Sequence, residues 1–141
     1  MGYNAKHNKL IIYADGGARG NPGPAGIGVV IMNEQKKVVD QVSKYIGEAT
    51  NNQAEYQALL AALDKAKELG AKELEIFLDS ELLVKQLNRQ YRVKDKDLAL
   101  LFVKVYNAVL GFNKVTFKHI RREQNIEADK LVNLVIDRAV S

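Results

Sequence analysis

Four acidic residues stand out by their place in the hydropathy pattern rather than by their number. Asp15 follows directly on the apolar run Leu10-Ile11-Ile12-Tyr13-Ala14, and Asp79 follows directly on Glu73-Leu74-Glu75-Ile76-Phe77-Leu78. Both runs read as buried strands. If those strands are parallel neighbours, both carboxylates emerge at the same carboxyl edge of a sheet, where open α/β sheets place their ligands. Glu55 falls within the helical stripe Ala58, Leu59, Ala62, Ala66 and Leu69, which puts it on the core-facing side of a first helical turn. A carboxylate buried alone is expensive, so this position calls for a cation or a donor. Asp129 lies beside Ile136, on the shoulder of a second apolar helical face made by Ala128, Leu131, Val132, Val135 and Ala139. Each acid taken singly has an ordinary structural explanation. Asp15 could serve a turn, Asp79 before Ser80 could cap a helix, Glu55 could offset a helix dipole, and Asp129 could be a solvated shoulder residue. Gathered at one sheet edge, the four would repel one another unless divalent cations sat among them.

The remaining composition narrows the chemistry. The 141 residues contain no Cys, and the two His stand at positions 7 and 119. A disulfide framework, a thiol nucleophile and a Cys or His zinc cage are therefore excluded, and any metal would be a hard ion held by oxygen. The net charge of +4 permits a polyanionic partner without demanding one. No apolar run approaches the ~18 residues of a membrane span, and the start MGYNAKHNK has no apolar leader core. The expectation is a soluble, cytoplasmic, monomeric chain with no membrane contact, forming a single domain over residues 1–141.

The elements that must position the acids follow from periodicity and punctuation. Strands are predicted over 10–14, 25–32 and 37–46, with a hairpin turn at 33–36. Helical spacing then covers 51–69 and stops at Gly70. A fourth strand over 73–78, helices over 80–88 and 95–110, a fifth strand over 114–120 and a closing helix over 125–140 complete the order. Both prolines and six of the ten glycines fall between Gly16 and Gly28, which reads as one tight, specially shaped loop. The order βββαβααβα implies an antiparallel meander of three strands, with strands four and five parallel to the first. The expected fold class is α/β, a five-stranded mixed sheet with helices against its faces.

These residues also resemble a known family. The segment Tyr13-Ala14-Asp15-Gly16-Gly17-Ala18-Arg19-Gly20-Asn21-Pro22-Gly23-Pro24-Ala25-Gly26 is similar to the first motif of type 1 ribonuclease H. Thr50-Asn51-Asn52-Gln53-Ala54-Glu55, Leu78-Asp79-Ser80 and Asn125-Ile126-Glu127-Ala128-Asp129-Lys130-Leu131 resemble its second, third and fourth motifs. The match spans nearly the whole chain, in order. The resemblance implies a ribonuclease H-like fold in which Asp15, Glu55, Asp79 and Asp129 form a catalytic metal site. It implies two Mg²⁺ ions, with Mn²⁺ as a substitute, and internal hydrolysis of the RNA strand of an RNA–DNA hybrid, leaving 5′-phosphate and 3′-hydroxyl ends. By the same resemblance Gly16, Gly17 and Asn21 meet the RNA backbone, where contacts can read 2′-hydroxyls. Asn51 and Asn52 lie in the hybrid groove, and Thr50 contributes to a pocket for a DNA phosphate. Thr50 or Asn51 could equally be a helix cap, or serve both ends.

Three departures from the family pattern shape the expectations. The flexible Gly-His loop of many members is replaced by Phe117-Lys118-His119-Ile120-Arg121-Arg122-Glu123-Gln124-Asn125. His119 falls in the fifth-strand pattern and reads as a strand residue. Arg122 and Glu123 are the candidates for the missing role, Arg122 first, because a fixed cation can stabilise developing phosphate charge. The basic protrusion with tryptophans found in some relatives is absent, as in compact archaeal and bacterial forms. Arg89, Arg92, Lys94 and Lys96 with Tyr91 could make a reduced groove for the DNA strand, or simply a solvated basic loop. Glu81 stands where many members carry Gln, placing a further acid near the metals. Two other readings stay open: an exonuclease or integrase core sharing acids and sheet, and a hybrid-binding module without catalysis.

Overall fold

The computed structural model describes residues 7–141; most of the start MGYNAKHNK, whose composition is read above, lies outside the described residues. The strands are β1 (Lys9–Ala18), β2 (Gly23–Met32), β3 (Val38–Ala49), β4 (Glu73–Leu78) and β5 (Lys114–His119). The helices are α1 (Asn51–Glu68), α2 (Glu81–Leu87), α3 (Lys96–Val109) and α4 (Ile126–Val140), with a 3₁₀ turn over Arg122–Gln124. The sheet order is β3-β2-β1-β4-β5. β1 and β2, and β2 and β3, pair antiparallel, while β1 with β4 and β4 with β5 pair parallel. The predicted mixed five-stranded sheet is what forms.

Local chemistry explains the boundaries. α1 opens on a capping box: Thr50 Oγ1 accepts from the Gln53 N–H at 3.1 Å and Gln53 Oε1 accepts from the Thr50 N–H at 2.9 Å. It ends at Gly70, whose φ of +78° suits a residue without a Cβ. Ser80 and Asp95 cap α2 and α3 through the N–H groups of Leu83 and Leu98. The principal core lies between the sheet and α1 with α3. Leu10, Ile12 and Ala14 of β1 alternate inward against Ala58, Leu59, Ala62 and Ala66 of α1. α4 covers the other face over β1, β2 and β3.

The glycine-rich segment differs from the expectation of a loop. β1 continues through Asp15, Gly16 and Gly17, paired opposite Gly28, Ile27 and Gly26 of β2, and the true turn is confined to residues 19–22. The reason is packing from both sides. A Cβ on Gly16 would run into the main chain of α1 at Ala54, and one on Gly28 into the main chain of α4 at Ala128. These glycines let two helices approach opposite faces of the same pair of strands, so overpacking there would cost on the order of 1–3 kcal/mol or more.

Candidate active site

The parallel register fixes the first two acids. Tyr13 stands opposite Phe77 in the β1–β4 ladder; two residues further on come Asp15, still within β1, and Asp79, just past the end of β4. Ser80, not Asp79, takes the cap of α2, which leaves the Asp79 carboxylate free for the sheet edge. Glu55 reaches the same edge from α1. It is the fifth residue of that helix, just past the first turn where it was expected, and no acid occupies the first turn, so dipole compensation does not account for it. Asp129 arrives from the first turn of α4, whose positive end favours a carboxylate. The buried face of α4 is made by Ala128, Val132 and Ile136. Ala139, expected on that face, is exposed.

These four carboxylates line one cleft of about 430 Å³ together with Gly16, Gly17, Asn51, Asn52 and Arg122. Burial, then repulsion from Asp79 and Asp129, pushes the Asp15 carboxyl up to about 8, and its protonated form hydrogen-bonds Asp129. Burial and Asp79 likewise push Glu55 up to about 7, opposed by the Arg122 guanidinium. Among the described residues, no three acids stand close enough to enclose an ion by themselves. The arrangement is an open, acid-lined cleft with oxygen donors only.

The other sequence candidates divide by position. Asn21 and Thr50 do not line the cleft but build the start of α1 behind it. Asn21 Oδ1 accepts from the Asn51 N–H at 3.1 Å, and Asn51 Oδ1 accepts from the Ala18 N–H at 2.8 Å. Gly16 is explained by its contact with α1, whereas a Cβ on Gly17 would meet only ordinary van der Waals neighbours. Arg122 and Glu123 part company: Glu123 lines a separate apolar groove beside Tyr13 and Ile126. His119 ends β5, exposed and away from the cleft. Glu81 also stays out of the cleft and pairs with Lys85 at 3.4 Å. Arg92 belongs to a second cleft, and Lys94 lines neither.

Sequence reasoning missed three polar residues around the acids. Arg19 pairs with Asp137 and donates to Asn133 Oδ1 at 3.3 Å, and Asn133 Nδ2 donates to Asp129 Oδ2 at 3.3 Å. Asn125, at the head of the fourth motif, donates to Asp79 Oδ2 at 2.9 Å. The fourfold spacing of Asp129 and Asn133 on one helix was a usable signal. For Asn125 the sequence signal was only that of a helix cap.

Comparison with known proteins agrees with the fold and the order of motifs. The reverse transcriptase-like family matches residues 13–135. The "Bifunctional protein Rv2228c" of Mycobacterium tuberculosis is 43% identical over 132 residues, covering 93% of this chain and 36% of that protein. "Ribonuclease HI" of Halobacterium salinarum is 41% identical over 127 residues, covering 90% of this chain and 64% of that one. This chain thus spans roughly one to two thirds of the length of these relatives. The solved structure of LC11-RNase H1, isolated from compost and crystallised with an RNA/DNA hybrid, is 48% identical and superposes with a TM-score of 0.90, covering 94% of this chain and 99% of that one. With its sheet order, its four motifs in sequence and a family match over most of its length, the chain belongs to the type 1 ribonuclease H family.

Proposed function

We propose that this chain is a divalent-metal-dependent endonuclease that hydrolyses the RNA strand of RNA–DNA hybrids, leaving 5′-phosphate and 3′-hydroxyl ends. The observation that carries the reading is the meeting of four carboxylates from separate elements in one cleft, two of them held far above their ordinary range. A fold that stored such repulsion without a counter-charge would gain nothing from it. The hybrid substrate is supported by LC11-RNase H1, which has been crystallised with an RNA/DNA hybrid.

The donor set fits Mg²⁺ or Mn²⁺. Such ions take one or two carboxylates and complete their shell with water and phosphate oxygens, which suits an open cleft better than a closed cage. Two such ions, when bound, would activate a water and stabilise the leaving 3′-oxygen. Asp15, Glu55, Asp79 and Asp129 would hold them. Arg122, at the cleft wall, would set a permanent positive charge beside the scissile phosphate and stabilise charge that develops there. Gly17 leaves the main chain accessible to an RNA backbone, and Asn51 with Asn52 faces the same opening. Asn21 and Thr50 act by fixing the loop and helix start that carry those groups. Arg92 and Lys94 would grip the DNA strand further out.

The test is one set of end-labelled duplexes at moderate salt with Mg²⁺ and then with EDTA. The hybrid should be cut internally on its RNA strand, with 5′-phosphate products, and EDTA should stop the reaction. DNA–DNA of the same sequence should stay whole, since a small misplacement of the scissile bond costs ~10²-fold in rate. Equal cleavage of both duplexes, or removal of nucleotides only from an end, would favour an integrase or exonuclease core. Binding without any cleavage would leave a hybrid-binding module. Among the described residues no helix is long and apolar enough to cross a membrane. A single-domain, monomeric, cytoplasmic enzyme remains part of this proposal, to be checked by sedimentation and localisation of the tagged chain.

A further inference from the structure

Asn125 occupies the N-cap of α4, where an Asn ordinarily turns its side chain back onto the first N–H groups of its own helix. Here it makes no such bond. Its side chain is turned inward instead and is 1% exposed. Nδ2 donates both to the Ala14 carbonyl at 3.0 Å and to Asp79 Oδ2 at 2.9 Å. Both partners are acceptors, so only one orientation of the amide satisfies them. The consequence is that Oδ1 is buried with no hydrogen-bond partner among the described residues. A Ser or Asp capping the helix in the usual way would avoid that orphan.

The placement gives the cost a purpose. Ala14 is the residue before Asp15 on β1, Asp79 directly follows β4, and Asn125 starts the helix that carries Asp129. One amide group therefore joins the supports of three of the four acids. By holding Asp79 Oδ2, it also fixes the rotation of that carboxylate, so that Asp79 need not be reordered when a cation arrives. We infer that Asn125 is a positioning residue that holds the Asp79 carboxylate in the orientation required to bind a divalent cation. The inference rests on the ribonuclease H reading above.

The test uses the full chain with Asn125→Ala and with Asn125→Asp, which keeps the shape but loses the donor. Mg²⁺ binding to the hybrid-free protein is followed by calorimetry, alongside kcat, KM and thermal unfolding. Asn125→Ala should weaken Mg²⁺ binding and lower kcat by about 10- to 100-fold, with KM for the hybrid within about twofold. Asn125→Asp should not rescue either quantity. A core variant with comparable loss of thermal stability, such as Ile31→Val, should leave the Mg²⁺ titration unchanged, which separates positioning from general destabilisation. If Asn125→Ala loses stability yet keeps its Mg²⁺ affinity and kcat, the residue is only a structural tie and the inference fails. Should both Asn125 variants unfold, the wild-type chain still decides the point by NMR. The Asn125 side-chain amide protons should exchange slowly and shift in Asp79→Asn and on Mg²⁺ addition, and unchanged resonances in both cases would overturn the inference. Absence of cleavage by the wild-type chain would instead overturn the ribonuclease H reading, whatever the amide resonances show.

Discussion

The acid cleft draws its side chains from β1, α1, the end of β4 and α4, whereas the second cleft, of about 570 Å³, is lined by the loop after α2 and the helices on either side of it. In the first, Asp79 and Asp129 are each held by an Asn, and the loop beside Asp15 is tied to α1 through Asn51 and Asn21. At the second, Arg92 in its lining and Lys94 just outside it are exposed and make no ion pair among the described residues. Its aromatic Tyr91 already has the Lys85 ammonium 4.9 Å from its ring centroid, and Arg89 sits 4.7 Å from the Tyr106 ring centroid. The contrast separates two physical jobs. Transition-state chemistry needs groups fixed before the substrate arrives, because orientation is where most of the rate comes from. Attraction of a polyanion needs only positive charge within reach, and a solvated loop supplies it at little structural cost.

Breaking the rigid cleft should have the largest effect. Asp79→Asn should lower kcat on a hybrid by on the order of 10³-fold or more while the chain still folds, since under the proposed mechanism it removes a divalent-ion ligand without changing shape. The same substitution should raise the melting temperature in metal-free buffer. The sign follows from linkage. Asp15 and Glu55 are raised to about 8 and about 7, so between pH ~4 and those values the folded chain binds more protons than the unfolded one. Stability of the metal-free protein should therefore fall as pH rises through that window. Repulsion from Asp79 contributes to both shifts, so Asp79→Asn should flatten the fall. Thermal melts from pH 5 to pH 8, with and without Mg²⁺, check this; an equally steep fall in the variant would remove Asp79 from the cluster.

How much of this was readable beforehand depended on whether a residue's reason was local. The acids of the rigid cleft were legible because each breaks a simple periodicity: two acids on the ends of apolar strands, one within an apolar helical stripe, one on the shoulder of another. The sheet order followed from connection lengths. The glycines of β1 and β2 were misread as loop because what requires them lies in distant segments, at Ala54 and Ala128. No local rule distinguishes a glycine that bends a chain from one that admits a neighbouring helix. Asn125 was hidden for the opposite reason. Its position satisfied a local rule, helix capping, that the folded chain does not use. Arg92 and Lys94 were placed near a substrate by charge alone, and charge sets neither distance nor direction.

An intermediate effect is expected at the wall of the acid cleft. Arg122 lies close enough to hold down the Glu55 pKa, and it lines the cleft without belonging to any strand or long helix. Arg122→Ala should reduce kcat on the order of 10²-fold with a small change in KM, the signature of a group that acts on the transition state. His119→Ala should change kcat by less than about twofold, because that side chain ends β5 outside the cleft. Steady-state kinetics of the two variants rank them. The reverse order would make His119 the counterpart of the loop histidine found in other family members.

The smallest effect on chemistry should come from the basic loop, and it sharpens the contrast between the clefts. Arg92→Ala combined with Lys94→Ala removes two exposed cations that no carboxylate holds in place, so the fold should be almost indifferent, with a change in stability within about 0.5 kcal/mol. Under the proposed mechanism the acid cleft positions the scissile phosphate of a seated hybrid, so kcat should stay within about twofold. KM should rise several-fold at moderate salt, because phosphate contacts supply affinity without orienting the reacting bond. The slope of log affinity against log salt should become shallower by about one for each lost contact, hence by about two for the pair. Hybrid, RNA–RNA and DNA–DNA binding should weaken together, since a phosphate contact reads no sugar. A double variant that loses kcat, or loses affinity for the hybrid alone, would mean that this loop closes on the substrate and shares in positioning it. The basic cleft would then belong to the same pre-organised machinery as the acids.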